Sequence, residues 1–106
     1  MNTEGKTVVI YVTYQGTFQT RFDREYYVQH HLPLVMAAWR QYGLRSVAAF
    51  YPAAGGQSGT IAICECAFRD EAAVNAAFAS PESAQVMRDV SRFTDVAPVR
   101  VRAVAL

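Results

Sequence analysis

Charged residues are scarce in this sequence. Lys, Arg, Asp and Glu make up 18% of its 106 residues, whereas hydrophobic residues make up 52%; globular chains average about 25% charged residues. A chain of this length forms one small domain that buries a modest fraction of its surface, so leftover apolar surface is expected to be covered by another subunit. The composition therefore favours a single domain over residues 1–106 that forms a homodimer.

The hallmarks of several protein classes are also missing. The net charge is +1 and the basic residues are scattered, so there is no basic stripe of the kind that binds nucleic acid. No apolar run approaches the roughly 20 residues of a membrane span. The first six residues include Glu4 and have no apolar core, unlike a signal peptide. We therefore expect no nucleic-acid or membrane partner, and a cytoplasmic location.

Only two cysteines are present, Cys64 and Cys66. They lie two residues apart in an expected strand and point to the same face, which suits a disulfide poorly. A metal ion would need more soft ligands than two thiols and a distant histidine provide. We expect two small buried thiols in a reduced compartment, with no metal and no cofactor.

Six segments alternate between strand and helix patterns. The strand patterns, rich in β-branched and aromatic residues, cover residues 7–14, 46–51, 60–68 and 98–104, and the helix patterns cover 23–43 and 70–93. The order βαββαβ predicts an α+β, ferredoxin-like fold with a four-stranded antiparallel sheet. Both helical segments would cover one face of the sheet, and the other face is not polar. Two such sheets packed face to face would form a dimeric α+β barrel with a central cavity.

The first helix has a clear start and end. Asp23 is the expected N-cap, Phe22 and Tyr27 occupy the positions of a hydrophobic staple, and Gly43 is the expected stop. The residues expected on its buried face form two rows, which are Val28, Leu32, Val35, Trp39 and Tyr42, and beside them Tyr27, His31, Leu34 and Ala38. Pro33 interrupts the helix and is expected to kink it.

The second helix is expected to have two parts. Asp70 caps the first part, and Ser80 caps the second, with Pro81 at the first helical position. The residues expected to face the core are Val74, Ala77, Phe78, Met87, Val90 and Phe93.

The two histidines, His30 and His31, are adjacent and would lie about 100° apart on a helix, so they cannot serve one site. His31 falls in the inward row with Tyr27, whereas His30 falls with Tyr26 on the side expected to face solvent. An imidazole in an apolar pocket can act as a general base near neutral pH, with Tyr27 as its hydrogen-bonding partner. The alternative is that His31 bonds a backbone carbonyl and ties the kinked helix down.

Four further side chains are candidates for the site. In the stretch Phe93-Thr94-Asp95, the Thr and Asp side chains either cap the turn after the second helix through local backbone bonds or reach the cavity mouth beside the first helix. Trp39 either packs in the core or stacks on a ligand. The glycine pair at residues 55–56 falls in the hairpin turn and not ahead of a helix, so no phosphate loop is expected. No Ser-His-Asp order or carboxylate pair stands out.

Two motifs resemble the signature of the EthD family, named for ethyl tert-butyl ether degradation. They are Phe22-Asp23-x-x-Tyr26-Tyr27-x-x-x-His31-x-Pro33-Leu34-Val35 and Phe93-Thr94-Asp95-Val96-x-Pro98, with Ser80-Pro81-Glu82 between them. The resemblance covers nearly the whole chain and implies a dimeric α+β barrel. In it, the family's histidine position corresponds to His31 and not to His30.

The resemblance leaves several functions open. Related barrels include cofactor-free monooxygenases, muconolactone isomerases, polyketide cyclases and haem-degrading enzymes, while the ether-degrading chemistry belongs to a cytochrome P450 system. Our first hypothesis is a cofactor-independent oxidoreductase, isomerase or cyclase acting on a small hydrophobic organic molecule. It would use His31 as acid and base and Tyr27 to orient it, with Trp39, Phe93, Thr94 and Asp95 contacting the substrate. The alternatives are a non-catalytic carrier of an apolar metabolite, and a haem-binding protein with His31 as axial ligand.

Overall fold

Four strands form one antiparallel sheet in the computed structural model, which describes residues 6–53 and 58–103. They are β1 (Val8–Gly16), β2 (Leu44–Phe50), β3 (Gly59–Phe68) and β4 (Val99–Ala103). Their order across the sheet is β2-β3-β1-β4, and each neighbouring pair is antiparallel. With helices between β1 and β2 and between β3 and β4, this topology confirms the predicted ferredoxin-like α+β fold. The predicted glycine pair 55–56 and the predicted strand end at residue 104 lie outside the described residues.

The chain between β1 and β2 is one helical segment in four parts. These are α1 (Arg24–Tyr26), a π-helical turn (Tyr27–His31), α2 (Leu32–Trp39) and a 3-10 turn (Arg40–Tyr42). The predicted cap is confirmed, since the Asp23 side chain accepts a hydrogen bond from the Tyr26 N–H at 3.0 Å. The staple is confirmed as well, because the rings of Phe22 and Tyr27 lie 5.1 Å apart.

The π-helical turn stands immediately before Pro33. The Leu32 N–H bonds to the carbonyl of Tyr27, five residues back, so this turn holds one residue more than an α-helical turn. The wide turn accommodates a proline, which has no N–H and whose ring collides with the carbonyl four residues back in a regular helix. It also changes which residues face inward. Val28 was predicted to be buried and is 48% exposed; the prediction was wrong because it assumed α-helical spacing through this turn.

The chain between β3 and β4 forms α3 (Glu71–Ala79), α4 (Glu82–Asp89) and a 3-10 turn (Val90–Arg92). Asp70 caps α3 as predicted, accepting from the Ala73 N–H at 2.8 Å. The Ser80 hydroxyl instead donates to the carbonyl of Ala77 at 2.6 Å, so it completes the end of α3 and does not cap α4.

The buried face of α4 carries Ser83 and Val86, and it continues to Val90 in the 3-10 turn. Met87 was predicted to face the core but is 42% exposed, because one residue further along a helix is about 100° around its axis. Among the described residues, no helix is long and apolar enough to cross a membrane.

The two faces of the sheet differ in what covers them. The helices cover the face that carries Ile10, Tyr14, Ala62, Cys64, Cys66 and Phe68, all of them buried. In β4, Arg100 and Arg102 share this face, since they pair across the sheet with Val12 and Ile10. The opposite face presents apolar side chains that are about half exposed in the single chain, namely Phe50, Val99 and Val101.

Candidate active site

His31 connects the two helical segments of the fold. It stands at the end of the π-helical turn, is 3% exposed, and its Nδ1 lies 2.9 Å from Oδ2 of Asp89, the last residue of α4. The wide turn directs this side chain inward beside Leu32, and π-helical turns of this kind are frequent at functional sites. The imidazole is therefore held by a carboxylate from the other half of the chain.

Aromatic packing fixes the plane of the imidazole. The ring of Tyr27 stacks on that of His31 with centroids 5.4 Å apart and planes 20° apart. The ring of Phe93, which follows the last 3-10 turn, lies 4.6 Å from the His31 ring at 56°. Tyr27 and Phe93 are themselves buried, so the imidazole can turn little without disturbing the core.

The second oxygen of the Asp89 carboxylate, Oδ1, also accepts a hydrogen bond. The hydroxyl of Tyr26 donates to Oδ1 at 2.7 Å, and Nε of Arg92 is 3.8 Å from the same atom. Burial alone would raise the pKa of Asp89, but the hydrogen bonds from His31 and Tyr26 outweigh it and hold this pKa below 3.8. Asp89 is therefore ionised at neutral pH.

Burial also determines the protonation of His31. It lowers the pKa of His31 below 6.5, although the hydrogen bond to Asp89 acts in the opposite direction. A neutral imidazole facing an ionised carboxylate keeps its proton on Nδ1, because the carboxylate can only accept. Its Nε2 then carries a lone pair, and no group among residues 6–53 and 58–103 hydrogen-bonds this atom. His31 can thus accept a proton at Nε2.

A cavity of about 30 Å³ lies between the helices and the sheet, with His31 in its wall. This is space for roughly one or two water molecules. Its walls are mainly apolar and aromatic, and include Val12, Val35, Val86, Tyr14, Tyr27 and Trp39. An imidazole with one free nitrogen therefore faces an apolar space.

The tyrosine hydroxyls of the cavity wall are protonated at neutral pH. Burial raises the pKa of Tyr14 and, still more, that of Tyr27. The Cys64 and Cys66 side chains are free thiols with their sulfur atoms 3.7 Å apart, buried as predicted. The two hydroxyls can donate hydrogen bonds to a ligand. Among the described residues, no group of three or more His, Cys, Asp or Glu side chains is arranged to hold a metal ion.

The structure brings only some of the sequence-predicted site residues to the cavity. His31, Tyr27 and Trp39 line it. Tyr27 contacts His31 through its ring face, and Nε1 of Trp39 donates to the hydroxyl of Ser83 at 3.0 Å. Phe93 packs against the imidazole with ring centroids 4.6 Å apart but does not line the cavity.

Thr94 and Asp95 lie away from the cavity and fasten the chain after α4 to the loop before α1. The Thr94 hydroxyl donates to the carbonyl of Arg21 at 2.7 Å. The guanidinium of Arg21 pairs with the Asp95 carboxylate at 2.8 Å and lowers its pKa. These contacts are long-range and differ from the local backbone bonds of the turn interpretation, and neither side chain lines the cavity.

Sequence reasoning missed Asp89 and Tyr26. Asp89 falls between Val86 and Val90 on the buried side of α4, and an acidic residue at that position is a signal that periodicity alone could have found. Tyr26 was expected to face solvent beside His30. Its ring does contact that of His30 at 4.9 Å, but its hydroxyl reaches back to Asp89.

The family can be assigned from the chain as a whole. The model of the EthD domain matches residues 17–97, a stretch that contains both His31 and Asp89. The chain belongs to the EthD family. No curated protein sequence matches it.

Solved structures share the EthD-like fold over nearly the whole chain. An EthD-like protein from Ralstonia eutropha JMP134 is 24% identical, with a TM-score of 0.80 over 93% of this chain and 91% of that one. An ethyl tert-butyl ether degradation family protein from Bacillus halodurans C-125 is 18% identical, with a TM-score of 0.66 over 92% and 99%. The Mycobacterium tuberculosis protein Rv0793 is 15% identical, with a TM-score of 0.55 over 95% and 96%. At these identities the likeness establishes the fold.

Proposed function

We propose that this EthD-family protein is an enzyme that binds a small apolar organic molecule between its helices and its sheet and transfers a proton on it. His31 is the base and then the acid, and Asp89 orients it. The observation that carries the proposal is the buried contact of 2.9 Å between Nδ1 of His31 and Asp89, beside an apolar cavity. A structural histidine would need no apolar space at its second nitrogen.

The chemistry is a proton transfer without a cofactor. A carbon-bound proton next to a carbonyl moves to Nε2 of His31, which becomes an imidazolium, and the substrate becomes an enolate. The ionised Asp89 stabilises the imidazolium, and the buried hydroxyls of Tyr14 and Tyr27 can donate to the enolate oxygen. Return of the proton to another atom completes an isomerisation or assists a ring closure. A positioned base contributes roughly 10²–10⁴-fold in rate.

The substrate must enlarge a cavity that holds only a water molecule or two. Met87 and Arg100 line the cavity and both keep exposed surface, so they form its mouth. The Met87 side chain is unbranched and flexible, and methionine adapts its shape to what it packs against. Movement of Met87 is the change that would admit an aromatic ring beside Arg100.

The working form that we propose is a homodimer. The sheet face opposite the helices carries Phe50, Val99 and Val101 at 48–50% exposure, and a small domain with this much open apolar surface is suited to pairing with a second copy. Face-to-face packing of two such sheets would give the dimeric barrel that the sequence predicts.

Acetophenone, a small aromatic ketone, tests the proton transfer. In deuterated water its methyl signal disappears from the proton NMR spectrum as a base exchanges its protons. We expect the wild-type protein to accelerate this exchange and His31→Gln to lose at least about a hundredfold of the acceleration. His30→Gln is the matched control, because His30 is the exposed neighbour and does not line the cavity.

The other hypotheses predict different results. Equal exchange rates with wild type and His31→Gln would refute the acid–base role. Binding of acetophenone by both proteins without exchange would support the carrier. A shift of the Soret band on hemin titration that His31→Gln abolishes would support haem ligation.

A further inference from the structure

Two arginines on the same face of β4 differ in their partners. Arg102 forms an ion pair with Glu71 at the start of α3. Arg100, two residues earlier, pairs with no carboxylate among the described residues, and its only side-chain hydrogen-bond contact there is with Sδ of Met87 at 3.8 Å. The two arginines share one face of the sheet, but only the charge of Arg102 is balanced by a carboxylate.

The guanidinium of Arg100 is nevertheless held in a defined place. Its Cζ lies 3.8 Å from the centre of the Phe78 ring, in a cation–π contact. The Phe78 ring in turn lies 5.2 Å from the ring of Trp39. A guanidinium lying on an aromatic ring keeps the N–H groups along its edge available to a planar acceptor.

Arg100 also belongs to the cavity. It shares a cross-strand pair with Val12, and both residues line the same space as His31. Partial burial without a compensating carboxylate lowers the pKa of Arg100 from its usual value, and a guanidinium remains charged even so. The mouth of an otherwise apolar cavity thus carries one unneutralised positive charge.

We propose that Arg100 binds a carboxylate group of the substrate, whose apolar part then extends along α2 towards His31. This assignment depends on the proposed function only for the proton transfer by His31 at the other end of the substrate. One guanidinium matches a monoanion, whereas a phosphate monoester would bring a second negative charge with nothing to balance it. Arg100 lies near Trp39 because both contact the Phe78 ring. His31 and Trp39 are eight residues apart, or roughly 12 Å along a helix, so the two ends of the substrate site are well separated. The substrate class is therefore a small aromatic or apolar acid with its reactive carbon remote from the carboxylate.

Two probes separate the carboxylate from the rest of the molecule. 4-Acetylbenzoate carries a carboxylate at one end and an exchangeable methyl group at the other, and 4-acetylbenzamide is its neutral analogue. Titration calorimetry gives the ratio of their dissociation constants. We expect the wild-type protein to prefer the carboxylate by at least about tenfold, as for a charge-assisted hydrogen bond. Arg100→Gln should bring this ratio to about one.

Matched variants make the result specific. Arg102→Gln removes an arginine of the same face that is already neutralised, and it should keep the full preference. Arg100→Lys keeps the charge and loses the planar edge, so its ratio should fall between those of wild type and Arg100→Gln; it decides the matter if Arg100→Gln fails to fold. His31→Gln should keep the preference and lose methyl exchange, which separates failure of this assignment from failure of the proton transfer.

Three results would overturn the assignment. One is a wild-type ratio near one, or binding of neither probe at millimolar concentration. Another is a preference that is unchanged in the Arg100 variants. The third is tighter binding of 4-acetylphenyl phosphate than of 4-acetylbenzoate, which would contradict the match to a monoanion.

Discussion

Nδ1 of His31 lies 2.9 Å from Oδ2 of Asp89, although 58 residues separate the two in the chain. One partner comes from the π-helical turn of the first helical segment and the other from the end of α4. The pair can form only when both segments are packed on the sheet and against each other. The protonation state of the candidate base is therefore a property of the complete fold.

Asp89→Asn should change the tautomer of His31. An amide can accept from Nδ1 or donate to it, so the proton is no longer confined to Nδ1 and the lone pair on Nε2 is partly lost. Nitrogen-15 NMR of the imidazole should show Nδ1–H in the wild-type protein and a substantial share of Nε2–H in the variant. The rate at which the methyl protons of acetophenone exchange should fall as well.

Asp95→Asn is the control for the Asp89 variant. Asp95 is exposed and pairs with Arg21, outside the cavity. The imidazole spectrum should stay as in wild type. An unchanged tautomer in Asp89→Asn would show that Asp89 does not orient His31.

Tyr26→Phe should raise the pKa of Asp89. The Tyr26 hydroxyl donates to the carboxylate at 2.7 Å and is one of the bonds that keep this pKa low. Carbon-13 NMR of the carboxyl group across the acidic range measures the shift. Tyr42→Phe is the control, because the Tyr42 hydroxyl joins the same pair of helical segments through Glu82. Equal titration of Asp89 in both variants would mean that Tyr26 has no influence on the carboxylate.

Stability should fall as the pH drops below about 6.5, the ordinary pKa of histidine. Burial lowers the pKa of His31 in the folded protein, so below 6.5 the unfolded chain binds more protons at this position and acid favours unfolding. The loss continues until the pH reaches the folded-state pKa, at about 1.4 kcal/mol for each unit between the two values. Urea unfolding between pH 5 and pH 8 measures it.

His31→Gln should remove this part of the pH dependence, since glutamine does not titrate in the range. His30→Gln should keep it, because the buried imidazole remains. If the pH dependence of stability persists in His31→Gln and disappears in His30→Gln, then His30 is its source, which contradicts the burial argument.

The fold was predictable because its determinants are local. Strand composition, the caps Asp23 and Asp70 and the stop at Gly43 each act within a few residues, and the βαββαβ order follows from them. The inward position of His31 was predictable too, as part of a helical row that contains Tyr27. The predicted burial of Val28 was wrong. The helical rows assume 3.6 residues per turn, whereas the π-helical turn before Pro33 is wider.

The partner of His31 could not be predicted in the same way. Periodicity indicates that Asp89 borders the buried face of α4, but it does not say which side chain of the other helical segment lies opposite. That depends on how two helices pack on the sheet, which is a long-range relationship. Tyr26 was misplaced for the same reason, because its hydroxyl reaches α4 while its ring remains near the surface.

Gly43→Ala should destabilise the fold more than Gly59→Ala does. Both glycines have positive φ, 114° and 131°, so each alanine suffers backbone strain. At Gly43 a Cβ would also lie 2.5 Å from Cβ of Ala73, whereas nothing lies within 4 Å of one at Gly59. Strain of this kind costs on the order of 1–3 kcal/mol, and the clash adds to it. Equal losses of stability in the two variants, measured by urea unfolding, would show that α3 moves away from the added methyl group at no cost.

Val101→Glu should convert the proposed dimer to a monomer. Val101 stands on the open face of the sheet at 48% exposure, and a carboxylate there would be buried without a partner if two sheets pack face to face, at a cost of several kcal/mol. Val28→Glu is the control, since Val28 is equally exposed but lies on the helical side. Light scattering at micromolar concentration should give the dimer mass for wild type and Val28→Glu and the monomer mass for Val101→Glu. A monomeric wild-type protein, or a dimer that tolerates glutamate at Val101, would show that this face is not the interface.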